Sequence, residues 1–350
     1  MQVLLKMTDR CNMRCSYCSD AVFRHRPHTI TSDVIAALPR LFAVLQQRFS
    51  HVDVIFHGGE PFFAPASRFR EIFAALSRYN ASFSAQTNLF DLRLPAYDAV
   101  LPRLRSLSIT IDGPGPLHDT HRRDAQGKGT FDRILNNLGT LRAAYPQLHI
   151  GALFTVSRES LPFAAEIYAL FKEARIDHIG FNPVVDGCAS LRPADYVCFL
   201  KELFSLWSSD PAPLDIHLFT EIVKYVTGIQ PAPSTCQSTE CYRHIISVSP
   251  EGNINPCMVW HDDDRFRVDT LTDLDAYWSY YEEKITTRVS RRECSACAFE
   301  PFCRGGCPHE YVGNQWRYCG ALQEFLQHAQ RFCAQQLQAA RTADTVLAGK

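Results

Sequence analysis

Cys11-Asn12-Met13-Arg14-Cys15-Ser16-Tyr17-Cys18 is the stretch on which the reading of this chain turns. It follows directly on a short β-branched run, Val3–Lys6, that reads as a first strand. The spacing is C-x3-C-x2-C. Three thiolates can ligate three irons of a 4Fe–4S cluster and leave the fourth open, so that a small molecule can chelate it. On spacing alone, a zinc site completed by His25 or His28 is the alternative.

The rest of the cysteine inventory favours metal over disulfides. The chain has 350 residues and 14 cysteines. After Cys18 none occurs until Cys188, and eight crowd between Cys236 and Cys319. Disulfide scaffolds are short and secreted; clustered cysteines in a chain this long read as metal sites. The opening residues are too quickly interrupted for a signal peptide, and no apolar run approaches bilayer length. With a net charge of -1 and 46% hydrophobic residues, there is no electrostatic case for nucleic acid or an anionic membrane as partner. A cytoplasmic protein is expected.

Working outward from the triad, residues 1–182 alternate β-branched runs with amphipathic stretches. Strands are expected at Val3–Lys6, Val52–Phe56, Ser82–Thr87, Ser106–Ile111, His149–Val156 and His178–Asn182. Helices are expected at Ser32–Phe49, Ala66–Tyr79, Tyr97–Arg103, Phe131–Ala144 and Leu161–Ala174, with Ser32 and Thr130 as N-caps. Repeated βα units imply parallel strands with helices outside them. The fold class is therefore α/β: a partial (β/α)6 TIM-like barrel whose site lies at the C-terminal strand ends. Residues 183–233 read as a helical bridge (Ala194–Trp207, Leu218–Val226). In it Cys188 and Cys198 are expected to be small buried hydrophobes. Residues 234–320 read as a loop-rich domain held by metal rather than by an apolar core. Residues 321–350 read as a C-terminal helix and tail, with Cys333 not a ligand.

Further motifs follow the strands in order. His57-Gly58-Gly59-Glu60-Pro61 follows the second and Gln86-Thr87-Asn88-Leu89 the third. Thr110-Ile111-Asp112-Gly113-Pro114, His118-Asp119-Thr120-His121-Arg122 and Gly127-Lys128-Gly129-Thr130-Phe131 follow the fourth. Phe154 to Ser157 ends the fifth. Together with the cysteine triad and its Tyr17, these resemble the radical S-adenosylmethionine (SAM) superfamily over residues 1–182. Leu89 departs from the family's T-N-G segment, where a glycine stands. The resemblance implies a 4Fe–4S cluster on Cys11, Cys15 and Cys18. It also implies SAM contacts from Gly58, Gly59, Glu60, Asn88, Thr110 and Arg122, with adenine against the backbone of Phe154 and Val156. Tyr17 and His57 lie near enough to the expected cluster to be catalytic candidates, although packing explains each. No catalytic acid or base is assigned.

In the second half, Cys241-x10-Gly252-x4-Cys257 precedes Cys294-x2-Cys297-x5-Cys303-x3-Cys307 and Cys319. This order resembles the SPASM domain of radical SAM peptide maturases. It implies two auxiliary 4Fe–4S clusters, hence three in all. By position, one takes Cys236, Cys241, Cys257 and Cys307, and the other Cys294, Cys297, Cys303 and Cys319. Zinc knuckles are the alternative for Cys294-x2-Cys297 taken alone.

The resemblance implies reductive cleavage of SAM to a 5′-deoxyadenosyl radical that abstracts hydrogen from an unactivated C–H bond. The first functional reading is a maturase that oxidatively modifies a ribosomal peptide or protein. The second is an anaerobic sulfatase maturase. That class places an acid after the cysteine of the G-x4-C element, where Met258 stands here. Asp262, Asp263 and Asp264 nearby read as a solvated turn. The third is a small-molecule dehydrogenase, epimerase or decarboxylase; a non-enzymatic cluster protein conflicts with the SAM segments. Expected partners are a peptide or protein substrate and a flavodoxin- or ferredoxin-type electron donor; with strand one at the start of the chain, substrate recognition is expected from the barrel mouth, the 183–233 bridge or a separate recognition protein. Phe181, Trp207, Trp260, Tyr280 and Trp316 read chiefly as packing residues.

Overall fold

The computed structural model describes residues 1–25, 27–91, 94–184, 190–229, 240–260, 263–286 and 294–348. Cys188, Cys236 and Asp262 lie outside the described residues. The elements, in order, are β1 (Gln2–Thr8), α1 (Ser32–Leu45), β2 (Val52–Gly58), α2 (Ala66–Ala75), β3 (Ala81–Thr87), α3 (Leu94–Tyr97) and β4 (Ser106–Thr110). Then come α4 (Gly115–His121), α5 (Phe131–Ala144), β5 (His149–Val156), α6 (Ala164–Glu173), β6 (His178–Pro183), α7 (Pro193–Ser209) and α8 (His217–Val226). The remainder is β7 (Ile245–Val248), β8 (Ile254–Asn255), α9 (Leu274–Thr286), α10 (Glu300–Cys303), β9 (Tyr311–Val312), β10 (Gln315–Trp316) and α11 (Cys319–Ala348).

Strands β1 to β6 lie side by side in sequence order, each pair parallel. This is the expected α/β architecture. Side chains alternate across the sheet. Phe56 packs edge-on against Phe69 and Phe73 of α2, and Phe154 contacts Phe171 of α6 and Phe199 of α7. These residues point to the helices, so Lys6, His57, Gln86 and Thr155, one step out of phase with them, point to the opposite face. On α1, buried Val34, Leu38, Leu41, Phe42 and Leu45 recur at helical spacing and seal one flank.

Several expectations need correction. The N-cap of α1 is Thr31, whose hydroxyl accepts from Val34 N at 3.3 Å; Ser32 is the first helical residue. Thr130 precedes α5, but its hydroxyl bonds Arg122 O and faces His118, so it does not cap the helix. Asp119 does that from across the loop: its Oδ1 accepts from Thr130 N (2.7 Å) and Phe131 N (3.0 Å). Tyr97–Arg103 is not one helix; α3 ends at Tyr97 and a 3-10 turn covers Leu101–Arg103. Cys198 is exposed, because α7 turns its neighbours Val197, Phe199 and Leu200 inward instead.

The larger correction concerns the second half. It is not core-poor. β7 pairs parallel with β1, and β8 antiparallel with β7, so the sheet runs on into this region. Ile246, Val248, Ile254, Val268, Leu271, Tyr277 and Tyr281 are buried in the same apolar cluster as the barrel. Asp263 does not sit on a solvated turn either. Its side chain is 9% exposed and accepts from Tyr280 Oη and Lys284 Nζ, each at 2.8 Å. The lysine holds this carboxyl below its ordinary range although burial opposes it.

Candidate functional site

The cysteine loop leaves the C-terminal end of β1 and is held by three neighbouring loops. From the β2 side, Gly59 N donates to Thr8 O and Glu60 N to Arg10 O, both at 2.8 Å. Gly58 adopts φ +143°, and a Cβ there would stand 2.4 Å from Thr8 O; one on Gly59 would stand 2.5 Å from Arg10 O. The glycines thus serve a close approach of the chain to its own cysteine loop. From the β3 side, Asn88 Nδ2 donates to Asn12 Oδ1 at 2.8 Å and reaches Cys11 Sγ at 3.6 Å. From the β4 side, Arg14 N donates to Arg123 O and Ser16 N to His121 O. The His121 ring bridges Ser16 Oγ (2.8 Å) and Glu159 Oε2 (2.9 Å).

Glu60 joins two of these loops. Its carboxylate, 4% exposed, accepts from Thr87 Oγ1 (2.8 Å), Asn88 N (2.8 Å) and Phe62 N (3.1 Å). Burial pushes its pKa up to about 7 despite these donors. Leu89, which stands where the resemblance calls for glycine, has φ +53° and is buried. The left-handed conformation is retained, at a cost of roughly 1 kcal/mol offset by the buried side chain.

Behind Cys15 lies a second buried network. Tyr17 Oη donates to Asp112 Oδ2 and accepts from Arg122 Nη1 at 3.0 Å, and Thr155 N donates to Asp112 Oδ1 at 2.9 Å. Asp112 N donates to His118 Nδ1 at 3.2 Å. Burial pushes the His118 pKa down to about 3, with the Arg122 cation adding to the effect. Asp112 and His118 belong to quoted motifs but were given no role at the sequence level; the D-G-P and H-D-x-x-R spacing was the signal available. Gly129 is also explained: a Cβ there would strike Asp119 Oδ2 at 2.1 Å and displace the cap of α5.

The expected SAM contacts therefore differ in what surrounds them. Thr110 is buried at the end of β4. Arg122 is 6% exposed and its Nε has no hydrogen-bond partner among the described residues, while Cys15 acts on it electrostatically. A buried guanidinium donor beside the cysteine loop suits an anionic group such as a carboxylate. The Phe154 side chain lies in the helix layer and Val156 is fully buried, so only their backbone is available to a ligand. Tyr17 is an organiser of Asp112 and Arg122. His57 donates nothing to the loop, but its Nδ1 accepts from Gly58 N at 2.8 Å. Burial lowers its pKa, with Asp20 and Lys6 acting in opposite directions.

The donor chemistry of the cysteine loop fits an iron–sulfur cluster. Cys11, Cys15 and Cys18 stand together on this loop, and the latter two act electrostatically on Cys11. Burial raises the Cys11 thiol to about 12, so thiolate there calls for a metal or another cation. In the second half, Cys294, Cys297, Cys303 and Cys319 line one cavity of about 230 Å³. Cys319, Cys294 and Cys297 act on Cys303, whose pKa is raised to about 11, chiefly by burial. Of the other set, Cys241 is buried and lies with Cys257 beside the fully buried Tyr277. The turn between Cys303 and Cys307 runs through left-handed Arg304, Gly305 and Gly306; a Cβ on Gly306 would strike the Trp316 ring at 2.1 Å.

A further cavity of about 150 Å³ lies between the end of β1 and the β7–β8 pair. Lys6, Asp9, Asn255, Met258 and Trp260 line it. Lys6 Nζ pairs with Asp9 Oδ1 (2.9 Å) and Asp20 Oδ2 (3.3 Å), all three largely buried. Asn255 Oδ1 is buried without a hydrogen-bond partner among the described residues.

Comparison with known proteins agrees with this geometry. Residues 5–166 match the radical SAM superfamily. The chain is 24% identical, over 338 residues, to the cysteine-type anaerobic sulfatase-maturating enzyme of Clostridium novyi (strain NT), covering 88% of this chain and 87% of that one. It is 23% identical to the serine-type enzyme of Klebsiella aerogenes, covering 90% and 82%. Among solved structures, native anSMEcpe with bound AdoMet superposes with a TM-score of 0.81 at 22% identity, covering 95% and 98%. Residues 5–166 thus carry a domain that matches the radical SAM superfamily, a likeness that supports an enzyme using S-adenosylmethionine and a 4Fe–4S cluster.

Proposed function

We propose that the chain is a radical SAM maturase that oxidatively modifies a side chain of a ribosomal peptide or protein. One observation carries this reading: the similarity to anaerobic sulfatase-maturating enzymes runs through both halves of the chain, not the barrel alone. Cys11, Cys15 and Cys18 would hold the SAM-cleaving cluster. Gly58, Gly59, Glu60, Asn88, Thr110, Arg122 and the backbone at Phe154 and Val156 would hold SAM. When bound, these two groups together supply reductive C5′–S cleavage and a 5′-deoxyadenosyl radical for hydrogen abstraction.

The chain's own work is placement. Glu60 ties the β2 and β3 loops together behind the cysteine loop, and Tyr17, Asp112 and Arg122 brace it from the β4 side. Arg122 Nε is the donor left for a SAM carboxylate. The cavity between β1 and β7–β8 is where a substrate side chain would enter, with Trp260 and Met258 as apolar walls and Asn255 Oδ1 as an acceptor. Two auxiliary clusters, on the cysteine sets given above with Cys236 as the eighth ligand, bring the total to three. A flavodoxin- or ferredoxin-type donor, a separate recognition protein and a cytoplasmic setting complete the proposal.

Formation of formylglycine is the second reading, favoured by the relatives and opposed by Met258 in place of an acid. The cavity lining does hold two carboxylates, Asp9, which is ion-paired to Lys6, and Glu251. Anaerobic turnover with SAM, dithionite and synthetic sulfatase-type peptides bearing Cys or Ser tests it. An aldehyde product that reacts with a hydrazide supports formylglycine formation. A modified, hydrazide-unreactive product supports the broader maturase reading. If no peptide or protein substrate is modified while a small sugar or carboxylic acid is, the proposal fails.

A further inference from the structure

We propose that Gln323 sets the reduction potential of the auxiliary cluster assigned to Cys294, Cys297, Cys303 and Cys319, by donating its side-chain N–H groups to two of the ligating sulfurs. The inference rests on that cluster assignment. Nε2 of Gln323 lies 3.2 Å from Cys297 Sγ and 3.7 Å from Cys319 Sγ. Gln323 follows Cys319 by four residues in α11, so one helical turn brings the amide over the thiol. The same side chain lines the cavity on which the four cysteines converge.

The chemistry follows from charge. Reduction adds an electron to a cluster that already carries thiolate charge. An N–H directed at a ligating sulfur stabilises the reduced form more than the oxidised one, and so raises the potential. Gln323 is a positioning residue: it touches the ligands and acts on the cluster through them. It lies outside the packing seam of its own helix. Buried Phe325, Leu326 and Ala329 carry that seam, and Gln323 is only half-buried. The helix therefore does not need this glutamine to dock, and a variant there keeps the helix in place.

The test isolates the auxiliary clusters in a Cys11→Ala, Cys15→Ala, Cys18→Ala background, reconstituted anaerobically. Midpoint potentials are read by EPR-monitored redox titration, with iron counted per chain. Gln323→Leu is compared with Gln327→Leu, an exposed glutamine one turn further along α11. The expected result is a fall in one of the two auxiliary midpoints equivalent to at least a tenfold weaker reduction, 59 mV for a one-electron couple. The other midpoint stays in place, and Gln327→Leu moves neither. Should Gln323→Leu lose iron, Gln323→Met keeps the length of the side chain without the N–H donors and without an added charge, and its lower midpoint carries the same support. Unchanged midpoints at about eight irons per chain overturn the role of Gln323 and leave the cluster assignment intact. A background protein holding only about four irons, with none lost on Cys303→Ala, overturns the assignment and the proposal together.

Discussion

Gly59→Ala is the substitution that most directly tests how the cysteine loop is held. A Cβ at this position would stand 2.5 Å from Arg10 O and 2.7 Å from Asp9 O. Both are backbone atoms, so no side-chain rotation relieves the contact. The loop must retreat by about half an ångström merely to reach the shortest tolerated separation, which stretches the hydrogen bonds Gly59 N to Thr8 O and Glu60 N to Arg10 O. Overpacking of this kind costs about 1–3 kcal/mol. At about 2 °C per kcal/mol for a chain this long, the melting temperature falls by about 2–6 °C. A functional loss accompanies the stability loss. The displaced segment precedes Cys11 by one residue; with about a hundredfold in rate lost per ångström at a catalytic centre, a half-ångström shift costs about tenfold. The assay is 5′-deoxyadenosine release from SAM under reducing, anaerobic conditions, beside differential scanning fluorimetry and an iron count. Gly139→Ala is the matched control. It is exposed in the middle of α5 with nothing within 4 Å of its Cβ, and should gain about 0.5–1 kcal/mol with unchanged cleavage. A Gly59→Ala protein that melts within a degree of the parent and cleaves SAM at the parental rate would refute the claim that close backbone approach positions the loop.

The other expectations concern the network behind Cys15, the cap of α5 and the triad itself. His118 is fully buried and its pKa is lowered to about 3, so below pH 6.5 the unfolded chain takes up a proton that the folded chain does not. Its contribution is complete above pH 6.5 and is lost as pH falls, by about 1 kcal/mol between pH 6.5 and 5.5. His118→Gln should flatten that part of the stability profile in chemical denaturation, and an unchanged slope would count against a neutral buried imidazole. Asp119→Ala removes the acceptor for Thr130 N and Phe131 N and should cost about 1–2 kcal/mol; Asp119→Asn should recover most of it. Equal losses for both would show that charge rather than capping matters. Replacing Cys11, Cys15 and Cys18 together by Ala should abolish 5′-deoxyadenosine formation, read by liquid chromatography. Cleavage that survives would place the SAM site elsewhere.

Much of this protein could be read from local pattern, because its signals are short in sequence. The alternation of β-branched runs with amphipathic stretches set out six βα units, and His149–Val156 and Phe131–Ala144 fall where the periodicity puts them. The cysteine spacing narrowed the chemistry to thiolate ligation of a metal, since thiolate number and interval are properties of the chain alone. Other features depended on residues far apart. Which residue caps α1, Thr31 or Ser32, turned on a single backbone geometry. The cap of α5 came from Asp119, eleven residues before Thr130, with Gly129 making room for it. Tyr17, Asp112, Thr155 and Arg122 meet only once three strands are in register. Residues 245–248 carry too few side chains to announce a strand, yet they join β1 and draw the cysteine-rich half onto the barrel sheet. Local propensity and ligand spacing travel with the sequence. Strand pairing, buried charge networks and the amide of Gln323 over two cysteine sulfurs arise from contacts that exist only when distant segments pack, and the tertiary structure alone decides them.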